Sequence, residues 1–386
     1  MATAMIWLPP WRKVRCPYCF SEVALSDCDV VSSRAGHDVL VPARARRRLM
    51  SRFRIEPITG EAAVRELASW RCPICGNLLP ANSDRADMVV VGLIGGGAAG
   101  KTHYLTSLVQ RLEGMADLQG VGCTRIAALN QEVVDRYQRD YHRVLFEKRE
   151  RIPATPPIVA GAENRPLIYT LFFESRRGRR RYREVNLVLY DGSGEQMVIQ
   201  QDMVEFHPYI LHASGLILMV DPLSMPGVAR NLPPYLRDVP VDAYAPVHLL
   251  QSVLTFSGQQ RGLSSSRGLE LPLAVTIAKS DLLRYIPRTL SVPTSLRRDS
   301  SYAGGYDPAE ALGTSQEVAE LFRRLGDPEL VALTQQFAQR SYHAVSATGG
   351  PAIFVGGGYS MVDPVRCLDP LFWLLWKAGV IRGRTD

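Results

Sequence analysis

The stretch MVVVGLIGGGAAGKTHYLTSLVQRLE, residues 88–113, carries an apolar run, a glycine-rich loop and a helical periodicity in direct succession. A run that is apolar on both faces predicts a parallel strand over 88–95, covered by helices on each side. The loop GGGAAGKT, 95–102, then opens a helix expected from Lys101 to about Glu113. Glycines let successive backbone N–H groups turn inward around an anion, and the following helix aims its positive end at the same point. Phosphate is the ligand this arrangement suits, with Gly95, Gly96, Gly97, Ala98, Ala99, Gly100 and His103 as candidate lining residues. Lys101 is placed to bridge the terminal phosphates of a nucleoside triphosphate, and Thr102 to give its hydroxyl to Mg2+.

Working outward, only five of the 45 basic residues are lysines, although the formal net charge is +7. Two of the five, Lys101 and Lys279, fall inside nucleotide-like motifs. A compact ammonium reaches a phosphate as a point charge in a way a guanidinium fork does not, which explains lysine persisting there.

A second element is NLVLYDGSGEQ, 186–196, where Asp191 closes a predicted strand and Gly194 follows three residues later. A carboxylate there can hold Mg2+, and a glycine N–H there can meet the terminal phosphate. A third is LAVTIAKSDLL, 273–283, giving AKSD at 278–281 after another apolar run. Asp281 can accept from both N1 and the exocyclic amine of guanine while the Lys279 stem lies over the base. The fourth is HAVSATGG, 343–350, where a backbone N–H at Ser346 or Ala347 can meet the guanine O6.

The fold expected is α/β: a mainly parallel sheet with helices on both faces, from strands at 88–95, 167–174, 183–190, 215–220, 273–278 and 342–345. The turn SRRGRRR, 175–181, joins two of these strands, and a second helical stretch is read over 127–150. Segments 222–268 and 285–308 read as surface insertions. LFWLLWKAGVI, 371–381, reads as a core-packed closing helix, with a membrane-surface role as the alternative.

Residues 1–85 differ in character and form a separate module, leaving 86–386 for the phosphate-binding domain. CPYC at 16–19 and CPIC at 72–75 are two thiolate pairs at knuckle spacing. Cys16, Cys19, Cys72 and Cys75 together make a tetrahedral Zn2+ site, so the module is zinc-ribbon-like, with the 52 intervening residues as an insertion. Cys28, Cys123 and Cys367 read as ordinary small residues. The module holds 13 basic and 8 acidic side chains, including ARARRRLMSRFR at 43–54. That run and RRGRRR at 176–181 can contact nucleic acid, an acidic partner or an anionic surface, or stand as solvated arginines. The opening MATAMIWLPPWRKVRC breaks its apolar stretch at Pro9 and Pro10 and places its charges afterwards, unlike a secretory signal. No apolar run reaches about 18 residues, so no transmembrane segment is expected and a cytoplasmic location is.

In order, GGGAAGKT, DGSG, AKSD and SAT resemble the nucleotide-binding signatures of the translation-factor-like and Ras-like GTPase class, over about residues 88–380. The DGSGEQ strand end, the AKSD form and the helix LDPLFWLLWKAG resemble, more narrowly, a bacterial double-GTPase family that works beside a second GTPase in conflict or signalling systems. The resemblance implies GTP/GDP as ligand and a protein partner. It implies a first-switch threonine, for which Thr155 is the candidate, and a water-orienting residue after Gly194. That position is Glu195, with Gln196 one later, so hydrolysis that is slow or completed by a partner is expected. Ala278 stands where the signature carries asparagine, which keeps an ATPase in play beside a GTPase switch and a nucleotide-binding scaffold.

Overall fold

A computed structural model describes residues 13–34, 37–41, 69–153, 165–174, 182–192, 207–237, 245–261, 268–352 and 358–384. The chain divides into two compact units, Met1–Met88 and Val89–Asp386.

In the smaller unit, β1 (Lys13–Arg15) pairs antiparallel with β2 (Glu22–Ala24). A second sheet has the order β4-β3-β5-β6, from β3 (Asp29–Arg34), β4 (His37–Val41), β5 (Ser69–Arg71) and β6 (Leu78–Leu79). Among the described residues, Val14, Val23, Leu25 and Leu79 are buried around Cys16, Cys28 and Cys72.

The larger unit is built on a seven-stranded sheet of order β13-β12-β11-β7-β10-β9-β8. β7 (Asp87–Gly95) is buried along seven consecutive residues, as a strand covered on both faces must be. β11 (Gly215–Val220), β12 (Leu273–Ile277) and β13 (Arg340–Ala344) continue the sheet in parallel on one side. On the other side lie β10 (Tyr182–Asp191), β9 (Leu167–Glu174) and β8 (Cys123–Ala128), with β9 antiparallel to both of its neighbours. The architecture is therefore α/β with a mainly parallel sheet and a separate cysteine-rich module.

Helix α1 (Lys101–Glu113) buries Tyr104, Leu105, Leu108, Val109 and Leu112, a stripe at helical spacing. That stripe shares one core with Val89, Val91 and Leu93, alternate residues of β7. Burial of each such side chain contributes about 1.5–3 kcal/mol. On the opposite face of β7 the small residue is required: a Cβ on Gly92 would sit 2.6 Å from a ring carbon of buried Tyr209. Helix α6 (Asp369–Lys377) buries Leu371, Phe372, Trp373, Leu374 and Leu375, so it packs in the core rather than on a surface. Near its start Arg366 and Asp369 form a buried ion pair of 2.7 Å, and the Tyr302 hydroxyl donates to the same carboxylate at 2.7 Å.

Three local expectations are corrected. The stretch 127–150 is not one helix: β8 ends at Ala128, the Asn130 side chain accepts from Val133 N, and α2 (Gln131–Arg136) begins only there. It continues as a π-helix over Tyr137–Glu147, a winding that no local propensity marks. Segment 222–268 contains a 17-residue helix, α3 (Ala245–Arg261), whose Val247, Leu249, Leu250, Val253 and Phe256 are buried. Segment 285–308 likewise sends Leu296, Tyr302 and Tyr306 into the interior, so neither is a surface insertion. Two further helices, α4 (Pro308–Leu325) and α5 (Pro328–Thr334), start with Asp307 and Asp327 as side-chain caps.

His343 on β13 is 3% exposed, and burial, helped by Arg366, pushes its pKa down to about 3. An unfolded histidine takes its proton near pH 6.5, so the folded pKa is the lower one. This group's stabilising contribution is whole above pH 6.5 and is lost as pH falls from there toward 3. Urea midpoints measured at pH 7.5 and 5.5 are expected to fall, by at most about 1.4 kcal/mol of stability per pH unit for one proton. His343→Leu is expected to flatten that acid dependence; an unchanged slope contradicts the assignment.

Candidate functional site

The sheet order decides where chemistry collects. Residues that end or follow β10, β7, β11, β12 and β13 meet along one edge, the carboxyl ends of the parallel strands. The loop after β7 is tightly wound. Gly95 has φ +155°, and a Cβ on it would lie 2.6 Å from Met219 O on β11. Gly100 caps α1 at φ +86°, a left-handed conformation that glycine adopts without strain. Gly96 and Ala99 are buried, Gly97 and Ala98 exposed, and Ala98 also has positive φ, +58°.

Lys101 is 7% exposed, and its ammonium donates to Gly95 O and Gly96 O, each at 2.9 Å. Its charge therefore lies over the mouth of its own loop. Thr102 Oγ1 donates to Asp191 Oδ2 at 2.7 Å, joining residues 89 positions apart. A hydroxyl and a carboxylate brought to one point beside a lysine are oxygen donors of the kind Mg2+ takes. His103 is half-buried; burial, then Lys279 and Arg151, lowers its pKa to about 4, and its Nε2 accepts from Ile152 N at 3.2 Å. His207, fully buried, is likewise lowered to about 4 by burial and then by Lys101.

The second half of the edge forms around β12 and β13. Asp281 is 2% exposed and accepts from Ser346 Oγ at 2.5 Å. Burial raises its pKa, and the Ser346 hydrogen bond works against that rise. Ser346 Oγ also accepts from Gly349 N at 2.9 Å, and Ala347 O accepts from Ser107 Oγ at 2.7 Å. Lys279, at φ +45°, donates to Asp221 Oδ2 at 2.5 Å. The motif residues Lys101, Thr102, Asp191, Lys279, Asp281, Ser346 and Ala347 thus share one edge of the sheet. Thr155, Gly194, Glu195 and Gln196 lie outside the described residues, as do both arginine runs.

Sequence reading missed Asp221 and Ser107. Asp221 directly follows the apolar run GLILMV, so a carboxylate at a strand end was the available signal. Ser107 carried none, because a helix interior hydroxyl reads as ordinary packing.

A second constellation lies in the smaller unit. Cys16, Cys19, Cys72 and Cys75 place their Sγ atoms within 4.8 Å of one another. Cys16 Sγ is 3.7 Å from Cys75 Sγ, and Cys19 Sγ is 3.9 Å from Cys72 Sγ. A tetrahedron with Zn–S bonds of about 2.3 Å has edges of about 3.8 Å, so the four thiols fit zinc. The two turns repeat one design. Phe20 N donates to Cys16 O at 3.0 Å as Gly76 N does to Cys72 O at 2.9 Å, and both residues have positive φ. Asn77 Nδ2 donates to Cys75 Sγ at 3.4 Å, which works against the rise that burial imposes on that thiol's pKa. Cys28, Cys123 and Cys367 are buried and stand outside the cluster.

No family model matches the chain. SaeC of Mycolicibacterium smegmatis, a protein named for ESX-1 scaffolding and assembly, is 27% identical over 345 residues, which cover 84% of each chain. Among solved structures, the Arl6 (BBS3) small GTPase of Trypanosoma brucei with bound GppNp aligns at 12% identity and a TM-score of 0.30, covering 76% of this chain and 99% of that one. Sup35 complexed with GDP aligns at 12% identity and a TM-score of 0.26, covering 68% and 38%. Scores this low do not define a shared fold, so the functional reading rests on the site. No helix among the described residues is long and apolar enough to cross a membrane.

Proposed function

We propose that this chain is a GTP-binding P-loop protein whose GTPase activity is completed by a protein partner. The observation that carries the reading is the Thr102–Asp191 contact of 2.7 Å beside the glycine-rich loop. It unites the two oxygen donors expected around Mg2+ from motifs that are far apart in sequence. In this reading Val89–Asp386 is the nucleotide-binding domain and Met1–Met88 a zinc-ribbon-like recognition module.

Roles follow from position. Backbone N–H groups of 95–102 and the N-terminus of α1 cradle the phosphates, and Lys101 exchanges its two carbonyl partners for phosphate oxygens. Mg2+, when bound, neutralises developing charge on the phosphates. Thr102 and Asp191 hold it. Asp281 reads the guanine amine and N1, Ser346 orients that carboxylate, and the Lys279 stem lies against the base. Gly194, Glu195, Gln196 and Thr155 are the switch candidates, and the lack of a glutamine directly after Gly194 supports slow intrinsic turnover. The likeness to SaeC supports an assembly role in which nucleotide state governs a protein partnership, which fits better than a conflict system.

ATP is the alternative ligand, and Ala278 is the residue that favours it, since its methyl group supplies no amide to the base-binding loop. Titration of the full-length chain with mant-GTP and mant-ATP separates the two. Mant-GTP is expected to bind at least about tenfold more tightly, corresponding to about 1.4 kcal/mol. Equal affinities defeat the role given to Asp281. Single-turnover hydrolysis in the isolated chain is expected to be slow; rapid turnover indifferent to Gln196→Ala defeats the partner dependence.

A further inference from the structure

We propose that Asp221 is a positioning residue for base recognition, its carboxylate pinning the Lys279 ammonium so that the lysine stem forms a fixed platform against the purine. The inference rests on the nucleotide reading and deepens it.

The fold itself creates the pair. β11 and β12 run parallel in a register that sets Val220 opposite Ile277, so Asp221, directly past β11, and Lys279, two residues past β12, leave neighbouring strands at the same edge and their side chains meet. The side chain of Asp221 is 3% exposed and that of Lys279 33% exposed. A buried carboxylate demands a partner, and the ammonium supplies it from the solvent side. Asp221 cannot swing away freely, because its other oxygen accepts from Leu223 N at 2.9 Å, capping the turn Pro222–Ser224. One carboxylate oxygen therefore fixes the acid to its own backbone while the other fixes the lysine.

Lys279 is held just as firmly at its backbone. It takes a left-handed conformation, φ +45° and ψ +41°, that few non-glycine residues adopt. Its neighbours lock that conformation: Ala278 N donates to Val220 O at 2.9 Å and Ser280 N to Val345 O at 2.9 Å. The stem then runs toward the phosphate loop, with Cε 3.8 Å from the position a Cβ on Gly100 would take. Its hydrocarbon thus reaches from the end of β12 toward the start of α1. A flexible lysine loses much side-chain entropy on binding a ligand. One whose head group is already anchored loses little, so the clamp preorganises the platform.

A charge-only variant separates this role from the cap. Asp221→Asn keeps a side-chain oxygen for Leu223 N and removes the negative charge facing Lys279. In the full-length chain it is expected to raise the Kd for mant-GTP about tenfold, mostly through faster dissociation, with little change in melting temperature. In a Lys279→Ala background the same substitution is expected to change Kd less than twofold. Two results overturn the proposal while mant-GTP still binds the wild type: a Kd for Asp221→Asn within twofold of wild type, or an equal loss in both backgrounds. Failure of the wild type to bind mant-GTP at all removes the nucleotide reading itself.

Discussion

The Lys101→Ala chain is expected to bind mant-GTP at least about 100-fold more weakly than the wild type. Each charge-assisted contact to phosphate is worth about 1.5–3 kcal/mol, and Lys101 is placed to make two. Lys101→Arg is expected to rescue little of the loss. Lys101 as a whole residue is 7% exposed, and its ammonium contacts two carbonyls of its own loop at 2.9 Å, a setting suited to a point charge. A planar guanidinium is wider and carries its donors in a fixed fork. Fluorescence titration measures both variants. A Kd within threefold of wild type for Lys101→Ala removes the phosphate assignment of 95–102.

The second large effect is expected from zinc. Among its described residues the smaller unit has few buried apolar side chains, and a core of that size supports little stability without a staple. Structural zinc contributes about 10–16 kcal/mol of apparent binding free energy in small zinc-dependent peptides, enough to decide whether such a unit folds. One zinc per full-length chain is therefore expected by elemental analysis, and none in Cys16→Ser/Cys72→Ser. Chelation is expected to open residues 13–34 and 69–88 to protease within minutes. Nucleotide binding is expected to persist, because all its candidate residues lie in the other unit. Equal protease resistance with and without zinc sinks the structural role.

The legible parts of the chain were those in which a physical demand is local. The run at 88–95 reads as a buried strand because every residue is apolar, and GGGAAGKT reads as an anion loop because its conformations and its lysine are adjacent in sequence. The cysteine pairs read as knuckles for the same reason. Cys123–Ala128 was illegible as a strand, since its side chains are mostly half-buried or exposed and lie on an edge of the sheet. Helix Ala245–Arg261 was hidden by the Pro, Ser and Gly around it, although its apolar residues recur at helical spacing. Asp221 could not be paired with Lys279 from sequence, because 58 residues separate them and only the order of strands brings their ends together. Asp191 and Thr102 pose the same problem, and there the resemblance to ordered GTPase motifs supplied what spacing alone did not.

The contact between Ser107 and Ala347 has a mechanical meaning. Helix α1 begins at the phosphate loop, and less than two turns later its serine hydroxyl grips the carbonyl of the loop that follows β13, beside Ser346 and Asp281. In the proposed reading, one rod thus sets the separation between the jaw assigned to phosphate and the jaw assigned to the base, as the beam of a caliper does. A ligand engages both jaws only if its own span matches the beam. On that reading inorganic pyrophosphate is expected to fill one jaw and a free nucleoside the other, neither spanning both.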